Sequence, residues 1–306
     1  MSGTRVGVIG GGPWGVALAR AAARAGSQVT LMSRRAEKDG RLIQVTDSYQ
    51  EIAKNRFLVV AVPSDVVRDV AHALGNHVDG AHMVVHGIRG LGRERLETIS
   101  DIFREETPVR KLGALGGPVQ VDELHTGTAS AIVVGSYYPE VNAIVTKSFS
   151  GPWLRVYATS DLRGLEWASA MVGCMAVGVG FAEAAGAGPG LLAALISRAV
   201  HDAGRIAVLA GAEEPTIYGL GGYGDLLSSI RQGSRPEVVL GRALAAGKSI
   251  PEAVEEAKLR VEAVALIPRI VAFAKQKGVQ APAFEGLARM LDGERGEEIL
   301  GKFFQA

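Results

Sequence analysis

The sequence predicts an α/β protein whose first half holds a doubly wound, mostly parallel sheet and whose second half is all helical. Two observations predict this fold. Apolar strand-like segments alternate with helical segments up to residue 159, which is typical of a parallel sheet covered by helices on both faces. After residue 159 the strand signal stops, and the longer patterns are all helical. We therefore expect two domains, at residues 1–159 and 160–306.

The strands of the first half are expected to be short apolar segments that end at turn residues. The sequence places them at residues 5–10, 28–33, 56–63, 82–88, 111–117, 129–136 and 154–159. Helices are expected between the earlier strands, at residues 13–26, 48–55, 64–78 and 92–106. Pro13 suits a first helical turn, Ser64 suits an N-cap and Gly26 suits a helix end.

The second half is expected to contain only helices. Helical patterns cover residues 191–212, 251–278 and 284–304. Before them, an uncharged run extends over 16 residues from Trp167 to Ala182, which is shorter than the ~20 residues needed to cross a bilayer. We therefore predict a core helix at this run and no membrane span.

The composition excludes several classes of protein. With 47% apolar residues the chain can bury a large core, which argues against disorder. The net charge of +1, from 33 basic and 32 acidic residues, gives no electrostatic footprint for nucleic acid. Cys174 is the only cysteine, so neither a disulfide nor a cysteine zinc cluster is expected, and we expect no metal. The first residues enter a strand without a signal-peptide pattern, which predicts a cytoplasmic protein.

A glycine-rich turn joins the first strand to the first helix. Gly10, Gly12 and Gly15 have the G-x-G-x-x-G spacing. Gly10 permits the tight turn, Gly12 lets the backbone approach a pyrophosphate, and Gly15 lets the helix pack on the strand. The pattern predicts a Rossmann domain that binds NAD or NADP, with Pro13 and Trp14 also at the cofactor. The alternative is a glycine turn in some other α/β fold.

The end of the second strand favours NADP over NAD. An NAD site usually has an acidic residue there for the ribose 2′-hydroxyl, whereas this chain has Ser33, Arg34 and Arg35. Arginine side chains can hold a 2′-phosphate.

Several segments, in order, resemble the NAD(P)-dependent glycerol-3-phosphate dehydrogenase family. "GVIGGGPWGVALA" is similar to that family's nucleotide turn, including its tryptophan, and the "GGYGDLL" that ends at Leu227 is similar to its helical-domain signature. The segments that carry the resemblance span residues 7–19, 57–70, 89–103, 115–124, 194–227 and 260–284. Ketopantoate reductase-like and 3-hydroxyacid dehydrogenase-like enzymes share the two-domain plan, but these segments favour the first family.

The resemblance implies a Rossmann domain and a helical substrate domain, with catalysis at their junction. The implied reaction is the reversible reduction of dihydroxyacetone phosphate, in which a nicotinamide gives a hydride and a lysine gives a proton. It also implies further cofactor-binding residues beyond the glycine turn, which are Val62, Pro63, Val121, Glu123 and Glu262.

Both lysines of the family's active site are replaced in this chain. The proton-donor lysine falls on Val172 and the asparagine that follows it on Gly173, and no lysine lies between Lys147 and Lys248. The first active-site lysine falls on Arg89. Because valine cannot donate a proton, we expect weak or no glycerol-3-phosphate dehydrogenase activity unless another group substitutes.

The resemblance also implies substrate-binding positions. The family's serine before Gly-Pro falls on Gly116, followed by Gly117, and its phosphate-binding Arg-Asn pair appears as Arg235-Pro236 or lies nearby with a one-residue insertion. Arg89 keeps a positive charge that suits a phosphate or carboxylate; its alternative is a solvated loop arginine.

Three further side chains are candidates for chemistry. Asp225, which the family pairs with its lysine, would lack that partner here, and helix capping is its alternative role. His86 ends a strand, and histidine is a common general acid, so it is a candidate substitute acid; a histidine bound to a backbone group is the alternative. His125 and Tyr223 are weaker candidates for the same role.

The remaining polar residues around the uncharged run have ordinary interpretations. Cys174 is expected to be a small core residue. Glu166 and Glu183 flank the run and are expected at its solvated ends, with Glu183 the candidate to face the cleft.

The sequence as a whole predicts an NAD(P)-dependent oxidoreductase that acts on a small anionic ketone or alcohol. Its partners would be this substrate and, in a homodimer, a second copy of the chain. The alternative is a dinucleotide-binding homologue without catalysis that serves as a sensor or regulatory subunit. The intact glycine turn supports both interpretations, and the loss of both lysines favours the second or an altered substrate.

Overall fold

A computed structural model describes residues 3–33, 43–92, 95–231, 233–258 and 261–303. The chain divides into two compact units, Met1–Glu166 and Trp167–Ala306. The last strand ends at Thr159 and the next helix begins at Leu162, so the division between the units lies inside that helix.

The first unit holds one sheet of eight strands in the order β3-β2-β1-β4-β5-β6-β7-β8. All neighbouring pairs are parallel except β6 and β7, which are antiparallel. The predicted doubly wound, mostly parallel sheet is therefore confirmed. In chain order the strands β1 to β8 span Arg5–Ile9, Gln28–Met32, Ile43–Thr46, Phe57–Val60, Met83–His86, Lys111–Gly116, Ser130–Gly135 and Leu154–Thr159.

Helices cover both faces of this sheet. The helices α1 to α6 span Pro13–Arg24, Tyr49–Ile52, Val67–Gly75, Ile99–Glu106, Val121–Thr126 and Pro139–Phe149, and a 3-10 turn at Ser64–Val66 precedes α3. One buried cluster joins the strands to Leu18 of α1 and Val145 of α6. A second cluster joins them to Leu74 of α3 and Phe103 of α4. Because both faces are covered, the central strand β4 is apolar and buried at every residue, whereas the edge strands β3 and β8 are partly exposed.

The helix expected at residues 92–106 begins only at Ile99. Thr98 and Asp101 form a capping box, in which each side chain accepts from the other residue's amide. Two residues earlier, Leu96 has a φ of 56°, which a right-handed helix does not allow. The sequence pattern therefore placed the start of this helix too early.

Three short elements of the first unit were missed in the sequence. The strand β3 has only four residues. The helix α5 has six residues and ends at Gly127, whose φ is 74°. The helix α6 begins at Pro139, which is a usable start signal.

The second unit is all helical in its described residues, as predicted. The helix α7 spans Leu162–Ala184 and enters it from the first unit. The helices α8 to α15 span Pro189–Leu209, Glu214–Tyr218, Asp225–Ile230, Pro236–Ala245, Ile250–Glu256, Ala263–Gln276, Pro282–Leu291 and Gly296–Phe303, with a π-helical turn at Leu220–Gly224 before α10.

The uncharged run lies in α7, which is a core helix. By length and apolarity alone α7 is a candidate membrane span, but 94% of its most apolar window is buried inside the protein. Within the second unit, α7 and α11 meet backbone to backbone. A Cβ at Gly180 would lie 2.2 Å from the Val238 carbonyl oxygen, and one at Gly241 would lie 2.0 Å from the Val177 carbonyl oxygen.

Candidate functional site

The glycine turn between β1 and α1 has a geometry that only glycine permits. Gly10 has a φ of 125°, and a Cβ there would lie 2.1 Å from the Ala61 carbonyl oxygen. A Cβ at Gly15 would lie 2.0 Å from the Gly10 carbonyl oxygen. Gly12 is different, because a Cβ there would meet no atom within 4 Å. The turn is therefore closed against the sheet at Gly10 and Gly15 and open beside Gly12.

The start of α1 is suited to an anion. Gly12 is its N-cap, Pro13 is its first residue, and neither a capping side chain nor an acidic side chain lies in the first turn. The amide groups of a helix start carry a partial positive charge and lack partners within the helix, so they favour a phosphate. This arrangement suits the pyrophosphate of a dinucleotide.

Trp14 links this turn to the end of another strand. Its Nε1 atom donates a hydrogen bond to the Gly87 carbonyl oxygen over 2.8 Å. Gly87 leaves room for the indole, since a Cβ there would lie 2.6 Å from Trp14 Nε1. The indole therefore has a structural role in joining α1 to the segment after β5, and its contact with the cofactor stays a prediction.

Other predicted cofactor residues border the glycine turn. Ser33 follows β2 and lies against Gly11. A Cβ at Gly11 would be only 1.9 Å from the Ser33 hydroxyl oxygen. Val62 and Pro63 follow β4, and Val62 Cγ1 would lie 3.4 Å from a Cβ on Gly10. Arg34 and Arg35 lie outside the described residues, so their contact with a 2′-phosphate stays a prediction.

Four further predicted residues lie after β6, and their contact with cofactor or substrate stays a prediction. Val121 begins α5 and packs on the core cluster that includes α1. Glu123 caps its own helix, accepting from the Gln120 amide over 3.1 Å and from the Ser130 hydroxyl over 2.6 Å. Gly117 has a φ of 90° at the end of β6. His125 lies at the end of α5, with its Nδ1 3.2 Å from Arg20 Nη1.

The end of β5 carries a buried His–Glu pair instead of a solvent-facing acid. The His86 side chain is 2% exposed, and its Nε2 lies 2.9 Å from Glu166 Oε1. Since the Glu166 side chain is 1% exposed, the prediction that it lies at a solvated helix end is wrong. The Ile88 amide donates to His86 Nδ1 over 3.4 Å, so the backbone interaction considered for this histidine is present. Both ring nitrogens are engaged, which argues against His86 as the proton donor.

Arg89 follows three residues after His86. It is half-buried, and Gly90 after it has a φ of 128°. A fully solvated loop arginine, the alternative interpretation, does not describe this position.

In the second unit Asp225 has a cationic partner that we did not expect. Asp225 is fully buried at the first residue of α10, and Arg235 Nη1 lies 3.6 Å from its Oδ1. Arg235 also donates from Nε to Glu237 Oε2 over 3.1 Å. Asp225 is therefore paired with an arginine, whereas the resemblance implied only that its lysine partner is missing. A buried carboxylate requires compensation, and Arg235 supplies it in place of a lysine.

Glu237 is the one member of this cluster that sequence reasoning missed. It lies in the first turn of α11, two residues after Arg235, where an acidic residue is favoured by the helix start. Because the helix start already explains an acidic residue at Glu237, the sequence gives no separate signal for its contact with Arg235. Its charge also acts on Cys174 of α7: burial, and secondly the carboxylate of Glu237, raise the pKa of the Cys174 thiol. Cys174 is thus an inert core residue, as predicted.

Val172 is fully buried in α7, and Gly173 beside it is also buried. The helix offers an apolar side chain where the family places its proton donor. Near the other end of α7, Glu183 Oε2 lies 3.0 Å from Arg242 Nη2, and the Glu183 side chain is 33% exposed.

The last two predicted residues lie at element ends. Tyr223 lies in the π-helical turn and is 39% exposed. Glu262 is the N-cap residue of α13 and is half-buried. Among the described residues, no three His, Cys, Asp or Glu side chains are grouped so as to hold a metal ion.

A glycine turn on a doubly wound sheet, followed by an all-helical unit, is the architecture of two-domain NAD(P)-dependent dehydrogenases. Models of NAD-dependent glycerol-3-phosphate dehydrogenases match the chain twice, the N-terminal model at residues 39–142 and the C-terminal model at residues 161–300. The chain therefore belongs to the NAD-dependent glycerol-3-phosphate dehydrogenase family, whose members are oxidoreductases that act on CH–OH groups. A model of pyridine nucleotide-disulphide oxidoreductases also matches residues 5–41, the region of the glycine turn.

Individual relatives span nearly the whole chain. The chain is 29% identical to glycerol-3-phosphate dehydrogenase [NAD(P)+] of Fusobacterium nucleatum, over 94% of this chain and 92% of that protein. It is also 29% identical to the enzyme of the same name from Afipia carboxidovorans, over 98% of both chains. Its fold is similar to the crystal structure of glycerol-3-phosphate dehydrogenase from Coxiella burnetii, with a TM-score of 0.91, 20% identity and 100% of both chains covered.

Proposed function

We propose that this chain binds a nicotinamide dinucleotide at the Gly10–Gly15 turn and catalyses hydride transfer to or from a small anionic ketone or alcohol. Dihydroxyacetone phosphate and glycerol 3-phosphate, or close relatives, are the proposed substrates, since the relatives named above act on glycerol 3-phosphate. The observation that carries the proposal is the glycine turn, which is closed at Gly10 and Gly15 and open beside Gly12.

The residues at this turn fit the cofactor. The open side of Gly12 lets the backbone approach a pyrophosphate, and the uncapped start of α1 provides amide groups for its oxygens. Val62, which borders Gly10, is proposed to form an apolar wall of the same site. The nicotinamide, when bound, supplies or accepts the hydride. The chain has to hold the dinucleotide, orient the substrate and provide for the proton.

An arginine is proposed to hold the anionic part of the substrate, and Arg89 and Arg235 are the two candidate positions. Arginine suits phosphate and carboxylate because its planar fork forms two parallel hydrogen bonds. Asp225 and Glu237 both contact the Arg235 side chain and hold it in place. A ligand would bind the guanidinium N–H groups that these two carboxylates do not use.

The proton step is expected to be slow in this chain. Val172 can neither donate a proton nor hydrogen-bond an oxyanion, and the guanidinium of Arg89 is a poor acid because arginine does not give up its proton in proteins. General acid catalysis typically contributes about 10²–10⁴ in rate. We therefore expect reduction of dihydroxyacetone phosphate to be at least ~10²-fold slower than in a family member with both lysines.

Titration with NADPH and NADH, followed by fluorescence, tests the binding half of the proposal. We expect both to bind and Gly12→Val to abolish binding, because the valine side chain fills the open side of the turn. A wild-type protein that binds neither dinucleotide would rule out the site. Tighter binding of NADPH than NADH would support the proposal that Ser33, Arg34 and Arg35 favour the 2′-phosphate of NADP. Equal affinities would rule out this preference.

A dinucleotide-binding protein without catalysis is the second candidate. The buried Val172, together with the pairing of Asp225 to Arg235, favours it, because the carboxylate is compensated without a lysine. Single-turnover assays with NADPH and dihydroxyacetone phosphate discriminate the two functions. Oxidation of bound NADPH at any ketone-dependent rate supports the enzyme. Tight NADPH binding with no ketone-dependent oxidation, across a panel of small phosphorylated and carboxylated ketones, supports the sensor.

A cytoplasmic location and a homodimer are also proposed. The single cysteine, which is buried and not in a disulfide, is compatible with a reducing compartment. Sedimentation at several protein concentrations measures the oligomeric state, and fractionation of cells that make the protein measures its location.

A further inference from the structure

Two hydrogen bonds converge on one oxygen of a buried carboxyl group in the first unit. Glu166 Oε1 accepts from His86 Nε2 over 2.9 Å and from the Ser100 amide over 2.8 Å. Within the described part of the chain, its other oxygen, Oε2, has no hydrogen-bond partner. Burying a carboxyl group this deeply costs free energy unless it is hydrogen-bonded. The two bonds to Oε1 offset part of this cost and hold the group in one place.

The histidine ring in this cluster is oriented from both sides. The Ile88 amide donates to Nδ1, which leaves the ring proton on Nε2 to be donated to Glu166. Ser100 lies in the first turn of α4, where amides have no partner within the helix and a negative side chain is favourable. Glu166 thus binds a strand end and a helix start at the same time.

The segment between these two attachment points carries a proposed functional residue. His86 is the last residue of β5, Ser100 follows the start of α4, and residues 87–98 between them include Arg89. The same segment is attached to the nucleotide turn, because the Gly87 carbonyl oxygen accepts from Trp14 Nε1. Glu166 binds both His86, before the segment, and Ser100, after it. Trp14 links Gly87, the first residue of the segment, to α1.

We propose that His86 and Glu166 are positioning residues that set the place of Arg89 relative to the dinucleotide site. The inference rests on the proposed function of Arg89 at the substrate. Neither side chain touches the substrate or cofactor in this role. They hold residues 87–92 at a fixed distance from the glycine turn, and small misplacements of a catalytic group lower the rate strongly.

His86→Leu and His86→Gln test the proposal as a pair. Leucine fills the space but has no N–H to donate, whereas glutamine keeps an amide donor at similar reach for Glu166. We expect His86→Leu to lower kcat/KM for the ketone at least tenfold, mainly through kcat, with the Kd of NADPH changed less than about twofold. His86→Gln is expected to keep kcat/KM within about threefold of the wild type, because the bond to Glu166 survives.

His82→Leu is the matched control. His82 is 4% exposed at the opposite end of β5, and its Nε2 lies 2.9 Å from the Ala53 carbonyl oxygen. The variant therefore removes the hydrogen bonds of an equally buried histidine beside the same strand, far along it from Arg89. We expect it to lower the Tm but to leave kcat/KM unchanged.

A readout independent of turnover separates this inference from the proposed function. In a Trp153→Phe/Trp167→Phe background, Trp14 is the remaining tryptophan, so its emission reports the bond to Gly87. Hydrogen exchange of the amides in residues 87–92 and 95–98 reports the segment itself. We expect a shifted emission and at least tenfold faster exchange in His86→Leu, and neither change in His82→Leu or His86→Gln.

The outcomes are distinct. A wild-type chain that binds no dinucleotide refutes the proposed function, and the emission and exchange data still decide the positioning role. If His86→Leu does not fold, Glu166→Met replaces it, since methionine keeps the volume and removes the acceptor. Equal effects of His86→Leu and His82→Leu on kcat/KM, emission and exchange would show that the pair is only structural. A loss in His86→Gln as large as in His86→Leu would overturn the role of the bond to Glu166.

Discussion

Removal of the Arg235 side chain should destabilise the second unit strongly, because it takes away the cation that lies 3.6 Å from the buried Asp225 carboxylate. Asp225 is 0% exposed and Arg235 is 8% exposed. At their separation of 3.6 Å the attraction of two unit charges is about 5 kcal/mol with an effective dielectric constant of about 20. Breaking a buried ion pair from one side typically costs about 3–5 kcal/mol, which agrees with this value. We therefore expect Arg235→Met to lose about 3–5 kcal/mol of unfolding free energy.

Urea unfolding with a double-mutant cycle measures this effect. For a unit of this size each kcal/mol corresponds to roughly 3 °C, so the Tm should fall by about 10–15 °C. Asp225→Asn in the Arg235→Met background should recover most of the loss, because the fully buried position 225 then carries no charge. The coupling energy between the two positions should exceed about 1.5 kcal/mol.

Arg242→Met is the control for this experiment. Arg242 lies on the same helix, α11, and forms an ion pair with Glu183 over 3.0 Å, but both side chains are at least 33% exposed. Exposed pairs contribute about 0–1 kcal/mol, so this variant should be near the wild type. An Arg235→Met Tm within 2 °C of the wild type, or no coupling to Asp225, would refute the view that Arg235 compensates a buried carboxylate.

Three further predictions follow from other parts of the structure. Val172→Lys with Gly173→Asn should raise the rate of dihydroxyacetone phosphate reduction above that of the wild type. It should also lower the Tm, because the new ammonium enters a fully buried position. Stopped-flow oxidation of NADPH measures the rate and a melting curve measures the Tm, and an unchanged rate in a folded variant would remove Val172 as the reason for slow turnover. Cys174 should not react with an aromatic disulfide at pH 8 in the native protein and should react once the chain is unfolded in urea, because burial raises the pKa of its thiol; rapid native labelling would contradict this. Burial also raises the pKa of Asp202, so its favourable contribution to stability is complete below the unfolded pKa of about 4 and is lost as the pH rises through the folded pKa. Asp202→Asn should accordingly raise the Tm at pH 7 and have no such effect near pH 3, since asparagine keeps an acceptor for the Ala283 amide, and an equal shift at both pH values would refute this cause.

The fold could be predicted because its signals are local. Alternation of apolar strands with helices, the glycine turn and the end of the strand signal at residue 159 each involve neighbouring residues. Where local signals compete, prediction was less successful. The charged pattern of residues 92–106 is compatible with one helix, but the capping box of Thr98 and Asp101 decides where the helix starts.

The candidate site could be predicted only where a motif defines it. The glycine turn is such a motif, and its steric requirements at Gly10 and Gly15 are found as expected. The His86–Glu166 contact joins residues 80 positions apart, and no local pattern indicates it. Glu166 follows a polar stretch and precedes an apolar run, so a solvated end was the reasonable interpretation, and tertiary packing overrides it.

The partner of Asp225 shows a different reason for failure. The family pattern indicates which lysine is replaced, but it does not indicate which other cation lies close to Asp225. Arg235 was assigned to a ligand, yet a buried carboxylate without its usual partner will draw on any cation that the fold brings close. The electrostatic requirement of one buried group thus predicts the pairing better than position-by-position comparison does.

The direct backbone contact between α7 and α11 bears on how a chain of this family can change its chemistry. At Gly180 and Gly241 the two helices are in register through main-chain atoms, with no side chains between them. The alignment of these helices is therefore insensitive to what lies at Val172, about two turns before Gly180 in α7. A lysine in this helix can be exchanged for valine without the helices moving apart, so scaffold and reactivity can diverge separately. By the same reasoning, variants of α7 made by directed evolution should keep this helix contact only while the two glycines are left untouched.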